Sequence, residues 1–157
     1  MDAVKRTLMH TVMRTVKDPD VQRIVALFEA LSLQDLPRLA EIYSPDACFK
    51  DPFNEVQGVA AIQGIFRHMF VSLDGPRFTI RDTIVEGDQC FLSWDFCFRM
   101  KRFNREEQLV RGASHLKLSP DGRITLHRDY WDAAEELYEK LPLLGALMRW
   151  LKRRANV

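Results

Sequence analysis

Residues 119–132 read Ser-Pro-Asp-Gly-Arg-Ile-Thr-Leu-His-Arg-Asp-Tyr-Trp-Asp, a turn that runs directly into an alternating strand. The first four residues predict a tight turn, because proline presets φ and glycine accepts the positive φ that many turns need. The predicted strand extends from Arg123 to about Trp131. Side chains two residues apart share one face of a strand. We therefore expect His127, Asp129 and Trp131 on the same face.

Upstream of this turn, the hydrophobic pattern repeats every second residue in long segments. This period predicts strands over Phe78–Glu86, Gln89–Phe103 and Glu107–Leu118. The pairs Gly87-Asp88 and Asn104-Arg105 are typical of hairpin turns between such strands. Together with the last strand, these segments predict a meander of antiparallel strands.

The first half of the chain shows helical spacing instead. Helices are predicted over Pro19–Leu31, Leu33–Tyr43 and Val59–Leu73, and a short strand is predicted over Ala47–Asp51, which Pro52 ends. Helices followed by a run of antiparallel strands indicate an α+β domain in which the helices pack on one face of the sheet.

The chain ends are predicted to be helical as well. Residues 1–18 form an N-terminal helical extension, residues 19–132 form the domain, and residues 133–157 form a basic amphipathic C-terminal helix with Pro142 as an interruption. An apolar helix with a basic end can pack on its own domain, cap a pocket or lie on a membrane surface. Packing is favoured, and peripheral membrane contact is the alternative.

Composition narrows the class of protein. A chain of 157 residues with a net charge of +1 suits one domain and gives no overall attraction to nucleic acid. Cys48, Cys90 and Cys97 have no C-x-x-C spacing, which argues against a disulfide framework and a zinc site. No signal peptide or membrane-spanning stretch is evident. We expect a cytoplasmic protein that needs no metal or cofactor.

The order of these elements resembles the nuclear transport factor 2-like superfamily, which includes SnoaL-like polyketide cyclases, ketosteroid isomerase and limonene epoxide hydrolase. The resemblance covers about Val21 to Asp132, and its most specific motifs are Phe49-Lys50-Asp51-Pro52-Phe53 with Gly58 after it, and residues 119–132. It implies a cone-shaped, half-open barrel with a pocket for a small hydrophobic molecule. It also implies a homodimer through the outer sheet face, which carries Asp95, Arg99, Arg111 and His115.

Strand alternation, combined with this resemblance, sorts the candidate pocket residues. The expected apolar lining consists of Phe49, Trp94, Phe96, Phe98, Leu116 and Trp131. The polar exceptions are Asp51, Ser114, His127 and Asp129. A mostly apolar pocket with a few polar groups is typical of a small-molecule site. Two carboxyl groups and an imidazole are chemically sufficient for acid–base catalysis, although the large aromatic side chains could also fill the pocket.

The resemblance also assigns individual roles. Likeness to ketosteroid isomerase places the general base at Asp51, but the positions of its oxyanion donors hold Ile24 and Ser114. Likeness to limonene epoxide hydrolase places an acidic residue of its water-activating triad at Asp129, but its other members fall at Trp94 and Phe96. Neither reaction is therefore expected by the same mechanism.

Two functions remain open at this point. The first is a cofactor-free isomerase, cyclase, hydratase or hydrolase with Asp51 as general base and His127 and Asp129 as acid or water-orienting partners. The second is a non-catalytic module that binds a small ligand or a protein. In the second case Asp51 would serve its turn, and His127 and Asp129 would be a structural polar pair.

Overall fold

A six-stranded sheet with the strand order β2-β1-β6-β5-β4-β3 carries the helices of this protein. The computed structural model describes residues 19–101, 106–133 and 153. The helical elements are α1 (Pro19–Ala30), a 3-10 helix (Leu33–Arg38), α2 (Leu39–Ile42) and α3 (Val59–Ser72). The strands are β1 (Tyr43–Lys50), β2 (Glu55–Gln57), β3 (Leu73–Glu86), β4 (Gln89–Met100), β5 (Glu107–Leu118) and β6 (Ile124–Tyr130).

The predicted α+β class and half-open architecture are confirmed, since the sheet does not close into a barrel. Strands β3 to β6 pair antiparallel in chain order, as the meander predicted. Strand β1 pairs with β6 in parallel, so the sheet is mixed rather than wholly antiparallel. The pairing of β1 with β6 joins distant parts of the chain and leaves no mark on the periodicity of either strand.

Some predicted elements lie outside the described residues. These are the N-terminal extension over residues 1–18, the Asn104-Arg105 turn, and the C-terminal helix over residues 133–157 apart from Ala133 and Arg153. Within the described part of the chain, no helix is long and apolar enough to cross a membrane.

The predicted second helix over Leu33–Tyr43 is divided. A 3-10 helix covers Leu33–Arg38 and contains Pro37, and α2 follows with a single turn. Proline has no backbone N–H to donate, which disfavours a continuous α-helix through that position. As a result, Tyr43 is the first residue of β1 rather than the last residue of a helix.

Strand β3 begins earlier than predicted, at Leu73 instead of Phe78. The segment Asp74-Gly75-Pro76, predicted as a turn, lies inside the strand, where the register with β4 shifts between Asp74 and Arg77. Gly75 has a φ of 58°, which suits such a bulge. The three-residue strand β2 was missed because it is too short to show a period.

The turn at residues 119–122 forms as predicted. The backbone N–H of Gly122 donates to the carbonyl of Ser119 at 2.9 Å, and Gly122 has a φ of 77°. The pKa of the Asp121 carboxyl is lowered to about 2 by hydrogen bonds from Ser119 and Arg123. This turn sets the alignment of β6 on β5, and with it the position of His127 and Asp129.

The core lies between the helices and the inner face of the sheet. On β4 the side chains of Cys90, Leu92, Trp94 and Phe98 are buried, whereas Phe91 between them is 46% exposed. The predicted inward face of this strand is therefore confirmed. Helix α1 covers this face with Val21, Ile24, Leu27 and Phe28.

Candidate functional site

The polar residues of the inner face meet where β5 and β6 pair. Ser114 lies directly opposite Asp129, and Leu116 lies opposite His127. Ser114 and His127 are both 4% exposed, and the side chain of Asp129 is 17% exposed. The predicted inward orientation of Ser114, His127 and Asp129 thus places them side by side.

These side chains form one hydrogen-bonded group, which we call the Asp129 cluster: Tyr43, Trp94, Ser114, His127 and Asp129. The Ser114 hydroxyl donates to Asp129 Oδ1 at 2.5 Å, and His127 Nε2 lies 2.7 Å from the same oxygen. Trp94 Nε1 donates to Ser114 Oγ at 2.9 Å. The Tyr43 hydroxyl lies 2.5 Å from His127 Nδ1.

Counting donors and acceptors assigns the protons in this cluster. The Trp94 indole can only donate, so Ser114 Oγ accepts from it and turns its own proton toward Asp129. An ionised Asp129 can only accept, so His127 donates through Nε2–H. In the tautomer that carries its proton on Nε2, His127 Nδ1 accepts the proton of the Tyr43 hydroxyl. Each donor of the cluster then has an acceptor within it.

The contacts that the described residues make with Asp129 all reach one carboxylate oxygen, Oδ1. The second oxygen, Oδ2, accepts none of these hydrogen bonds. A carboxylate has acceptor sites on both oxygens, so one oxygen can be held by donors while the other takes part in proton transfer.

Tyr43 belongs to the buried end of the cluster and is 1% exposed. Burial raises the pKa of its phenol well above the ordinary value of 10.0, and the negative charge of Asp129 raises this pKa further. Tyr43 therefore remains a neutral hydrogen-bond donor to His127 at every pH at which the protein would work.

Replacing Tyr43 by Phe should destabilise the fold by about 1–3 kcal/mol at neutral pH, because His127 Nδ1 loses its donor. The pKa of the Tyr43 phenol is higher in the folded protein than in the unfolded chain. As the pH rises, the unfolded chain therefore loses this proton first. Stability from Tyr43 is therefore complete below pH 10 and declines above it, by about 1.4 kcal/mol per pH unit. Urea unfolding of wild type and Tyr43→Phe between pH 8 and 11 should show the difference shrinking. Parallel curves would contradict the assigned hydrogen bond.

Next to the cluster lies a narrow inner cavity of about 20 Å³. This is enough space for about one water molecule. Its lining is formed by Phe28, Phe66, Phe78, Ile80, Leu92, Trp94, Ser114, His127 and Asp129. The aromatic side chains thus occupy most of the volume that the sequence assigned to a ligand.

Outside the inner cavity, an open groove of about 600 Å³ borders the ends of β1 and β6. It is lined by Lys50, Asp51, Pro52, Arg128, Asp129, Tyr130, Trp131 and Asp132. Among the described residues, Asp129 is the one that lines both spaces. It therefore borders both a water-sized cavity and a groove that is wide enough for a small metabolite.

Asp51 lies at this groove but is not part of the Asp129 cluster. Its Oδ1 accepts hydrogen bonds from the backbone N–H groups of Phe53 at 2.7 Å and Asn54 at 2.6 Å. The Asn54 side-chain amide contacts both carboxylate oxygens, at 3.1 and 3.0 Å. The carboxylate thus closes the turn that Pro52 begins, which was the structural alternative.

The predicted ligand-binding residues lie in three places: the inner cavity, the groove and the core. Trp94 and Ser114 line the inner cavity, and Trp131 lines the groove. Phe49, Phe98 and Leu116 are buried in the core, and Phe96 packs against it, stacked on Phe78 at a centroid distance of 4.5 Å. Phe49 still contacts the cluster, because its ring meets His127 edge-on at 4.9 Å.

Tyr43 belongs to this site, but its place in the sequence predicts only the end of the helix over Leu33–Tyr43. Its partner His127 lies 84 residues further along the chain. One signal was available, since a buried tyrosine hydroxyl needs a hydrogen-bond partner. That signal predicts that a partner exists but does not identify it.

Within residues 19–101 and 106–133, no group of three or more His, Cys, Asp or Glu side chains is arranged to hold a metal ion. His115, expected on the outer face, lies there stacked on Phe91 at a centroid distance of 4.4 Å.

The sequence matches one protein-family model over most of the described domain. This model, described as a SnoaL-like domain, matches residues 24–127. No curated protein matches the chain significantly.

Several solved structures share the fold. A protein from Catenulispora acidiphila with a ketosteroid isomerase-like fold, in complex with trimethylamine, is 17% identical with a TM-score of 0.66, covering 76% of this chain and 90% of that chain. A protein named as a SnoaL-like polyketide cyclase from Jannaschia sp. CCS1 is 17% identical with a TM-score of 0.63, covering 72% and 85%. An LEH-like epoxide hydrolase from M. tuberculosis is 16% identical with a TM-score of 0.61, covering 85% and 93%. At these identities the likeness shows the fold alone.

Proposed function

Because this chain belongs to the SnoaL-like domain family, we propose that it binds a small hydrophobic molecule and performs cofactor-free acid–base chemistry on it, with Asp129 as the general base. The reactions in this class are isomerisation, cyclisation and hydration or hydrolysis. The observation that carries the proposal is the Asp129 cluster, in which Ser114 and His127 hold one carboxylate oxygen of a residue that lines both the inner cavity and the groove.

The arrangement supports proton transfer in both directions. Asp129 takes a proton from the ligand or from a water molecule, and His127 and Ser114 stabilise the carboxylate before and after that step through hydrogen bonds to Oδ1. Tyr43 holds the imidazole in one tautomer and orientation through Nδ1. His127 in turn lies against the rings of Phe28 and Phe49, at 5.7 and 4.9 Å, which excludes bulk water from this side.

The groove supplies apolar surface for a ligand beside Asp129. Trp131 lines it, and the Trp131 ring meets Phe53 edge-on at 5.4 Å. Phe53 is 52% exposed. In this proposal a hydrophobic ligand lies against Trp131, with its reacting atom directed to Asp129.

Asp51, the base expected from the resemblance, takes a structural role in this proposal. For Asp51 to accept a proton at Oδ2, its carboxylate would have to give up the hydrogen bond from the Asn54 side-chain amide, and the Oδ1 acceptor that holds the turn would be weakened. The hydrogen bonds that the described residues make with Asp129 all reach Oδ1, so a proton at Oδ2 displaces none of them. The two carboxylates border the same groove, so each serves as the matched control for the other.

The test is a turnover screen with compounds that represent each reaction. A cyclic β,γ-unsaturated ketone reports isomerisation, an aromatic epoxide reports hydrolysis, and a linear aromatic polyketide analogue reports cyclisation. Products are identified by mass spectrometry. In water labelled with heavy oxygen, epoxide hydrolysis leaves the label in a diol, whose oxygens do not exchange with water as carbonyl oxygens do. Turnover that persists in Asp51→Asn and is lost in Asp129→Asn supports the proposal.

The competing hypothesis is a non-catalytic binding module, and the inner cavity of about 20 Å³ favours it because little substrate can enter. It predicts that a compound raises the melting temperature without being converted, and that Asp129→Asn changes its Kd only a few-fold. This outcome would replace the catalytic proposal.

We also propose that the protein is a homodimer through the outer face of the sheet. Ile84, Phe91 and Tyr130 on this side of the sheet are 67%, 46% and 49% exposed. Asp95 on the same face pairs with Arg81 at 2.5 Å and lies 3.9 Å from Arg111. A face that carries apolar groups and charges of both signs can pair with a second copy of itself around a two-fold axis.

Replacing Phe91 by Glu should convert the dimer into a monomer, because the substitution places a charge at the centre of the apolar part of this face. Sedimentation equilibrium should give twice the 18.3 kDa chain mass for wild type and the single mass for Phe91→Glu. Val71→Glu is the control, since Val71 is 57% exposed on α3, away from this face. A monomeric wild type would refute the dimer.

We also propose that the protein is cytoplasmic, in keeping with its free thiols at Cys48, Cys90 and Cys97.

We further propose that the chain has three parts. These are an extension over residues 1–18, a domain over residues 19–132 and a C-terminal helix over residues 133–157.

A further inference from the structure

The position of Trp94 against β5 is unusual for so large a side chain. Trp94 lies directly opposite Gly112. A Cβ atom added at Gly112 would lie only 2.3 Å from the Trp94 ring carbon Cη2, with Cζ2 and Cζ3 at 2.5 and 2.9 Å. The indole therefore lies directly over the backbone of Gly112, where any residue with a Cβ atom would collide with the ring. Trp94 is 5% exposed.

In this position the indole limits the inner cavity. Trp94 forms one wall of that cavity, and Phe78 meets its ring edge-on at a centroid distance of 5.6 Å. The remaining space is about 20 Å³. Its other walls include Leu92, Ile80 and Phe66, so the space is apolar except on the side of the Asp129 cluster.

The indole is also held in place by a hydrogen bond. Trp94 Nε1 donates to Ser114 Oγ at 2.9 Å, and this bond is buried. Rotation of the ring out of the cavity would break it and leave a buried acceptor without its donor, which is costly. The ring is thus fixed by packing over Gly112 on one side and by Ser114 on the other.

From these contacts we infer that Trp94 is the specificity-determining residue of this site, which limits whatever reaches the inner cavity to a group of about the size of a water molecule. The body of a larger ligand then lies in the outer groove beside Trp131, and Asp129 meets both. The inference rests on the proposed function, because it treats the inner cavity and the groove as the ligand site.

The experiment uses indole and benzene as probes with wild type, Trp94→Ala and Trp94→Val, and needs no substrate. Truncation to Ala should open a cavity on the order of 150 Å³, the size that binds benzene in an engineered apolar core. Indole should therefore raise the melting temperature of Trp94→Ala by about 5 °C at saturating concentration. In wild type, indole should make no contact with the inner cavity, whatever it binds in the groove. Nuclear Overhauser contacts from bound indole to the methyl groups of Ile80 and Leu92 should place it in the inner cavity.

Trp131→Ala is the matched control, since it removes the same side chain from the groove and leaves Trp94 in place. It should gain no indole contact with Ile80 or Leu92. Should Trp94→Ala fail to fold, Trp94→Val keeps a branched apolar side chain in the core, still removes the whole indole ring, and should bind benzene. Indole or benzene in the inner cavity of wild type, or no gain by either Trp94 variant, would overturn the inference. Turnover of Asp129→Asn tests the catalytic proposal, and binding of indole and benzene tests the role of Trp94. A failure of one proposal is therefore distinguishable from a failure of the other.

Discussion

Asp129→Asn is expected to lower kcat about 10³-fold on the compound that the screen identifies, with a much smaller change in KM. General acid–base catalysis by a positioned side chain typically contributes about 10²–10⁴-fold. The amide keeps the shape of the carboxylate and can still accept from Ser114 and His127 through its oxygen. The variant therefore removes the base while the site retains its geometry.

Two further variants separate the roles within the site. Asp51→Asn should retain most of the turnover. The Asp51 carboxylate accepts hydrogen bonds from Phe53 and Asn54 in its own turn, so the substitution mainly lowers the stability of that turn. Ser114→Ala should lower kcat less than Asp129→Asn, since His127 still holds the carboxylate at 2.7 Å. The measurements are initial rates with each variant and a melting temperature for each, so that unfolding is not mistaken for lost catalysis.

The opposite pattern would identify a different base. Loss of turnover in Asp51→Asn, with Asp129→Asn within a few-fold of wild type, would return the general base to the position that the resemblance to ketosteroid isomerase implies. The Asp129 cluster would then be a structural polar network.

Gly112→Ala is expected to destabilise the fold by about 1–3 kcal/mol, the usual cost of forcing extra volume into a packed core. Its added methyl group would lie 2.3 Å from the Trp94 ring, which has no free direction in which to move while Nε1 remains bonded to Ser114. Alanine has no difficulty with the strand backbone itself, so the whole effect comes from the indole.

A double-mutant cycle tests that cause. Trp94→Leu removes the ring, and in this background Gly112→Ala should cost little, which gives a coupling energy of about 1–2 kcal/mol between the two positions. Gly64→Ala is the matched control: Gly64 lies within α3, and a Cβ there meets nothing within 4 Å. It should stabilise the protein by about 0.5–1 kcal/mol, because alanine is the better helix former. Equal costs for Gly112→Ala in both backgrounds, measured by urea unfolding, would rule out the close contact as the cause.

Local features were predictable because they depend on neighbours in the chain. The turn at residues 119–122 follows from its proline and glycine, and the burial of Leu92, Trp94 and Phe98 follows from their period of two along β4. The inward orientation of Ser114 follows from the same period, and that of His127 and Asp129 follows from the period combined with the family resemblance. Errors arose where a local pattern was ambiguous, as in the helix interrupted by Pro37 and the bulge at Gly75.

The amino-acid sequence by itself determined the α+β class and the alternation along the strands, since periodicity and turn chemistry act over a few residues. Alternation also placed Asp51 among the inward polar side chains, but its carboxylate holds the local turn at Phe53 and Asn54. Only the tertiary structure decided that Tyr43 bonds to His127 and that Trp94 over Gly112 leaves a water-sized space. These two features join residues far apart in the chain or depend on how closely large side chains pack. A cavity is the small volume left after such packing, so it cannot be read from the identity of the residues that surround it.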